Sequence, residues 1–223
     1  VTRALLAWSS GKDSAHALHV LRQRGDVEVV GLLTTFNSTH DRVAMHAVRR
    51  ELVRAQADAV GLPLQEVEIP WPCPNGAYEA AMATAMEQAK GQGVEAVAFG
   101  DLFLEDVRRY REEKLAPTGL QPLFPLWGRD TRTFARELID AGTRAWLTCV
   151  DPRVLPQEFV GRAYDDALLG ALPASVDPCG ENGEFHTFVW DAPEFRAPLR
   201  VRVGEVVTRD GFAFADVRPE AAA

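Results

Sequence analysis

Apolar and polar positions along this chain follow two periods in turn. Residues 4–8 form a short apolar run that stops at Ser9-Ser10-Gly11; Ala15, Leu18 and Leu21 then recur at helical spacing until Gly25. Residues 27–35 are rich in β-branched side chains and predict a second buried strand. A long helix is expected over 43–59, with Val48, Leu52 and Ala55 on one face and Arg49, Arg50 and Arg54 largely off it. Residues 64–69 predict a third strand, ended by Pro70, Pro72 and Pro74. A helix over 77–89 and a fourth strand over 94–100 follow. Strands separated by helices of this length make βαβ units, hence a parallel sheet covered on both faces.

The pattern changes after residue 100. A charge-dense helix is expected over 104–114, a proline-interrupted extended segment over 120–127 and a helix over 131–141. A strand over 145–150 and a helix over 159–169 come next. Residues 185–190, 199–207 and 212–217 alternate as antiparallel strands do. The organisation expected is an α/β nucleotide domain over 1–127 and a smaller, closely joined α+β lobe over 128–223.

Composition narrows the class. A chain of 223 residues buries a core without disulfides or a structural metal. Thirty-two acids against 24 Lys and Arg leave a net charge of −8, which argues against broad nucleic-acid binding but not against a local basic groove. Cys73, Cys149 and Cys179 are scattered and odd in number, which suits a reducing compartment. No apolar run approaches membrane-spanning length, and residues 1–8 are too short and too lightly flanked for a signal peptide. The expectation is a soluble, cytoplasmic protein without a membrane partner.

The most informative stretch is Ser9-Ser10-Gly11-Lys12-Asp13-Ser14, between the first strand and the first helix. Ligands of open α/β sheets collect at the carboxyl ends of strands, where a tight loop and a helix start offer unpaired amides to a phosphate. Gly11 lets the backbone come close, the serines add hydroxyls, and Lys12 adds a point charge. Asp13 or Ser14 could equally cap the helix, so an ordinary turn and cap is the competing reading. The loop is not a Walker A motif, because Leu6 and Asp13 stand where glycine and Ser or Thr are needed.

Residues 9–14 resemble the PP-loop of the ATP pyrophosphatases, usually Ser-Gly-Gly-Lys-Asp-Ser; Ser10 stands where glycine is commoner and would fit with a negative φ. Leu120-Gln121-Pro122-Leu123 with Trp127 and Arg129, then Cys179-Gly180-Glu181-Asn182-Gly183-Glu184-Phe185, resemble the diphthine–ammonia ligase branch. Asn182, Phe185 and His186 depart from the branch's usual glycine, tyrosine and glutamate, and so put the acceptor in question. The resemblance implies a parallel-sheet, Rossmann-like fold of the adenine nucleotide alpha hydrolase type. It implies an ATP-dependent, amide-forming ligase that releases AMP and pyrophosphate, with Mg²⁺ as cofactor and ammonia as nitrogen donor. The branch's acceptor is diphthine on elongation factor 2. A relative from an organism without that modification would use another carboxylate, on a small molecule or a protein side chain. A second copy of the chain is a further partner considered.

The site residues follow from loop and resemblance together. Ser9, Ser10, Gly11, Lys12, Asp13, Ser14, Thr34, His46 and Gly100 are assigned to the nucleotide, and Asp13 and Asp101 to the metal. Lys12, Asp13, Glu181 and Glu184 are assigned to catalysis. Arg108, Glu112, Gly180, Glu181, Gly183 and Glu184 are assigned to the acceptor. Each has a plainer alternative: Asp101 a helix cap, Arg108 and Glu112 an i,i+4 pair on a solvated face, His46 a half-buried helix histidine, and residues 179–184 a glycine-rich turn. A Cys179–His186 thiol site is a rival, though a lone cysteine more often packs. His16 and His19 lack a third zinc ligand. Gly91-Gln92-Gly93 precedes a strand and therefore fails as a dinucleotide motif. A nucleotide-binding module without turnover, and a tRNA-modifying PP-loop enzyme, are the other functional readings.

Overall fold

The computed structural model describes residues 1–38, 42–43 and 48–220. Its first sheet is built from β1 (Thr2–Ala7), β2 (Val27–Asn37), β3 (Arg42–Val43), β4 (Leu64–Ile69), β5 (Ala96–Ala98) and β6 (Gln121–Leu123). The parallel strands lie in the order β4-β2-β1-β5-β6, with β3 antiparallel to the end of β2. Strand order therefore reverses between β1 and β5, the position where open α/β sheets take their ligands. The helices are α1 (Lys12–Arg24), α2 (Arg50–Val60), α3 (Asn75–Gly91) and α4 (Glu105–Leu115).

Alternation along β1 sends its side chains to two cores. Ala4 and Leu6 join Leu18 and Leu21 of α1 and Leu52 and Val53 of α2. Leu5 joins Leu33, Val97, Met86 of α3 and Leu115 of α4. The parallel sheet is thus covered on both faces, as its near-continuous apolar strands require.

A second sheet follows α5 (Thr131–Asp140). It contains β7 (Arg144–Val150), β8 (Phe185–Asp191), β9 (Val201–Arg209) and β10 (Phe212–Pro219), antiparallel in the order β8-β7-β10-β9. α6 (Asp166–Ala171) lies between β7 and β8. Leu147, Phe188 and Ala213 of this sheet and Phe134 of α5 share the core of α1 and α2. The alternating pattern of the last three segments is borne out as antiparallel strands.

Two expected helices change. The helix expected over 43–59 begins at Arg50, because Val43 belongs to β3 and donates its N–H to Val48 O. Residues 44–47, and with them His46, lie outside the described residues. The helix expected over 159–169 is a short turn at Gln157–Phe159 followed by α6. Between them, Gly161 and Tyr164 donate to Leu147 O and Ala145 O of β7, and Leu147 donates to Arg162 O. Pairing to a strand edge satisfies this backbone, so it does not coil.

Candidate active site

The loop after β1 enters α1 without a cap. Gly11 is the N-cap residue and offers no side-chain cap, and Ser14 Oγ instead donates back to Gly11 O at 2.9 Å. The cap by Asp13 or Ser14 is therefore absent; Thr187 Oγ1 takes the amide of Lys12, and the rest of the first turn is left without a side-chain cap. Ser10 has φ +70°, against the expected negative value. A serine thus occupies the left-handed region, and its Oγ is buried without a partner. Its carbonyl holds the position by accepting from Val189 N at 3.0 Å and Gln56 Nε2 at 3.1 Å.

Gln56 is a residue the sequence reading missed. It is fully buried on α2, accepts from Trp8 Nε1 at 2.8 Å and donates to Val189 O at 2.6 Å. It ties the loop to β8 and so joins the two sheets. One signal could have found it: an amide set in the apolar stripe of α2, four residues after Leu52 and four before Val60.

The second loop, residues 177–184, meets the first. Asp177 Oδ1 accepts from Cys179 N at 2.9 Å, and Asp177 Oδ2 from Thr131 Oγ1 at 2.6 Å. Gly180 has φ +69°, and a Cβ there would stand 2.7 Å from Phe185 O, so only glycine lets this loop turn into β8. Lys12 crosses to it, donating to Cys179 O at 2.5 Å and to Asp13 Oδ2 at 2.9 Å, while Lys12 N donates to Thr187 Oγ1 at 3.1 Å. Gly100 closes the third side; a Cβ there would lie 3.1 Å from the Asp13 carbonyl carbon.

Together these segments form one wall of a cleft of about 620 Å³. Ser9, Gly11, Lys12, Asp13, Ser14, Thr34, Gly100, Asp101, Gly180 and Glu181 of the predicted residues line it. The opposite wall was not foreseen: it carries Tyr78, Glu79 and Met82 of α3 and Tyr110, Arg111 and Lys114 of α4. The fold does not bring Ser10, Arg108, Glu112, Gly183 or Glu184 to the cleft lining. Arg108 and Glu112 pair with each other at 2.8 Å on another face of α4, and Arg108 stacks on Phe124 and Trp127. Arg111 turns inward instead and grips Asp101 with two bonds, at 2.5 and 3.0 Å. Asp101 caps no helix, since Leu104 is the N-cap of α4.

The two glutamates of the second loop separate. Glu181 Oε1 accepts from Leu102 N at 2.7 Å in the cleft wall. Burial raises its carboxyl to about 7, with Asp13 and Asp101 adding repulsion against the pull of Leu102 N–H and Lys12. Glu184 is buried beneath its own loop, where Oε1 accepts from Asp177 N at 3.0 Å and Asn182 Nδ2 at 3.1 Å. Burial also raises Asp13, and one of its oxygens, Oδ1, is buried without a hydrogen-bond partner. Burial opposes the Lys12 charge, but Asp13, Cys179 and Glu181 outweigh it, so the amine stays cationic. Burial and Lys12 depress His186 to about 4, which leaves a neutral imidazole on the cleft wall at pH 7.

Burial pushes the Cys179 thiol well above its usual range, and Sγ lies 3.4 Å from Thr131 O. It packs rather than ionises, which answers the thiol-site rival. Among the described residues no three His, Cys, Asp or Glu side chains cluster as a metal site, and no helix is long and apolar enough to cross a membrane.

A parallel sheet with a phosphate-type loop at its switch point, completed by a loop from an antiparallel sheet, defines a PP-loop nucleotide fold. Family models place the chain within that class: the diphthamide synthase N-terminal domain matches residues 2–122 and the C-terminal domain residues 130–218. The chain belongs to the diphthamide synthase family, in the diphthine–ammonia ligase branch of the PP-loop ATP pyrophosphatases. The diphthine–ammonia ligase of Bos taurus is 35% identical over 130 residues, covering 56% of this chain and 48% of the relative. That of Homo sapiens is 34% identical over the same shares. The chain thus spans about half the length of these two relatives. The Danio rerio protein of that name is 29% identical over 231 residues, 94% of this chain and 90% of the relative. A solved Methanocaldococcus jannaschii protein, titled a predicted subunit of tRNA methyltransferase, aligns at 15% identity with a TM-score of 0.41, covering 66% of this chain and 78% of its own.

Proposed function

We propose that the chain is an ATP-dependent ligase that converts a carboxylate to an amide, with ammonia as nitrogen donor and AMP and pyrophosphate as products. One observation carries the reading: Lys12 and Asp13 line one cleft at the sheet's switch point with Glu181, which is 168 residues beyond Asp13. The acceptor carboxylate attacks the α-phosphorus, forming an acyl-adenylate and releasing pyrophosphate. Ammonia then attacks the acyl carbon and AMP leaves. The relatives' name points to diphthine as acceptor; His186 and Asn182 leave another carboxylate equally open.

The cleft fits this chemistry. Its volume suits a nucleotide and a second reactant, and amides at the start of α1 face a phosphate. Lys12 stabilises charge on the leaving pyrophosphate, and Thr34, in the second half of β2, borders the adenine side. Glu181, with its carboxyl raised to about 7, holds the incoming ammonia and takes up the proton it loses. Asp13 fits Mg²⁺, because a buried carboxylate oxygen without a partner is a ready ligand for a hard cation. Asp101 fits less directly, being engaged by Arg111. Bound there, Mg²⁺ would neutralise phosphate charge. In this reading residues 1–127 hold the nucleotide and 128–223 supply the acceptor side. Three free thiols accord with work in the cytoplasm.

Phosphorus NMR of a turnover mixture with ammonium and candidate carboxylates tests the reading. AMP and pyrophosphate are expected. ADP and phosphate would overturn the ligase, and binding without turnover would favour a nucleotide sensor.

A further inference from the structure

The second sheet ends in an open strand. β9 has β10 on one side and, among the described residues, no strand on the other. The other edge is closed, since Val189 of β8 donates to Ser10 O and Leu199 to Trp190 O. A free edge offers unpaired N–H and C=O groups to another chain unless bulges, lysines or prolines blunt it. β9 is blunted only in its first half. There Gly204 and Glu205 stand opposite the single residue Asp216, between the pairs Val203–Val217 and Val206–Ala215. From Val206 onward the ladder is regular, and Val206, Val207, Thr208 and Arg209, with Glu205 at the end of the bulge, are all exposed. Val206 and Val207 are 45% and 41% exposed, and the segment holds no Lys or Pro.

The sequence of this edge is self-complementary in one register. Outward-facing groups alternate along a strand, so two identical antiparallel strands oppose residues of the same parity. Centred on Glu205, the pairing sets two carboxylates face to face. Centred on Val206, it faces Glu205 with Val207; centred on Thr208, it faces Arg209 with Val207. Only the register centred on Val207 sets Glu205 of each copy against Arg209 of the other, with Val206 facing Thr208. Glu205, Val207 and Arg209 share one face of the strand. Val207 also pairs with Phe214 of β10, so the same register lays an unbroken apolar row from one Phe214 to the other.

We propose that the chain self-associates through β9, two copies pairing antiparallel about Val207 so that their four-stranded sheets become one continuous sheet. The interface is isologous and closes as a two-fold dimer. No residue from Glu205 to Arg209 lines the cleft, so the proposal stands apart from the ligase reading.

Sedimentation velocity over a concentration series tests it with Glu205→Arg, Arg209→Glu and the double exchange. The wild-type chain should pass from monomer to dimer as concentration rises. Either single reversal opposes like charges at two symmetric places and should weaken the dimer about tenfold. The double exchange should restore it. Thermal unfolding at concentrations where the chain is monomeric should be unchanged, because the altered side chains are exposed. A wild-type chain monomeric at every concentration overturns the proposal. So does a dimer indifferent to both reversals, or one that the double exchange fails to restore.

Discussion

The two walls of the cleft carry the same residue types in opposite surroundings. On the loop wall, Lys12, Asp13 and Glu181 are withdrawn from water and act on one another. On the helical wall, Lys114 pairs with Glu79 at 2.6 Å, with both side chains about half exposed. Burial, more than residue identity, sets the chemistry. An exposed ion pair is worth about 0–1 kcal/mol. A carboxylate held near other carboxylates in a dry wall titrates near neutral pH, where it can both accept and give up a proton. Asp101 and Arg111, with side chains 15% and 30% exposed, join the segment after β5 to α4.

The sharpest break of this contrast lies within one loop. Glu181→Gln should bind ATP normally but lose product formation by about 10²–10⁴-fold, because it removes a proton acceptor facing the cleft. Its carboxyl is raised, so the folded state holds the proton more tightly than the unfolded one. Its contribution therefore falls as pH rises from the unfolded value near 4.5 to about 7. Denaturant titrations should show that decline in the wild type and a flatter profile in Glu181→Gln. Glu184→Gln, three residues on, should instead cost about 1–3 kcal/mol of stability while sparing catalysis in the folded fraction, since Glu184 braces Asp177 N and Asn182. If both changes abolished turnover with stability intact, the division between them would fail.

A smaller effect is expected at Ser10. Ser10→Gly relieves a left-handed serine and removes a buried, unpartnered hydroxyl; the added freedom of the unfolded chain offsets part of that gain. The midpoint of urea unfolding should rise, corresponding to about 1 kcal/mol, with ATP affinity unchanged. A destabilised Ser10→Gly protein would mean that the hydroxyl supports the loop.

The smallest effect belongs to the solvated face of α4. Arg108→Ala removes a pair whose side chains are 37% and 44% exposed, together with stacking on Phe124 and Trp127. Unfolding measurements should register a loss of about 0.5–1 kcal/mol. A loss of several kcal/mol would show that exposed and buried charges differ less here than the cleft walls suggest.

Much of this architecture was legible in the sequence. Strand period and helix period alternate locally, so residues 64–69 and 131–141 could be read within a residue of their observed limits. The loop at residues 9–14 and the motif at 179–185 announced the family, because glycines and charged residues at fixed spacing survive without knowledge of the fold. Only the tertiary structure decided which neighbours in sequence act together. It sent Glu181 to the cleft and Glu184 under the loop, turned Arg111 rather than Arg108 inward, and buried Gln56 as the tie between sheets. It also held Ser10 at positive φ and paired residues 161–164 to β7 where a helix was expected. The physical reason is range: periodicity and turn chemistry act over a few residues, whereas burial, ion pairing and backbone strain here depend on how separate segments meet in one core, as Lys12 meets Cys179 and Ser10 meets Val189.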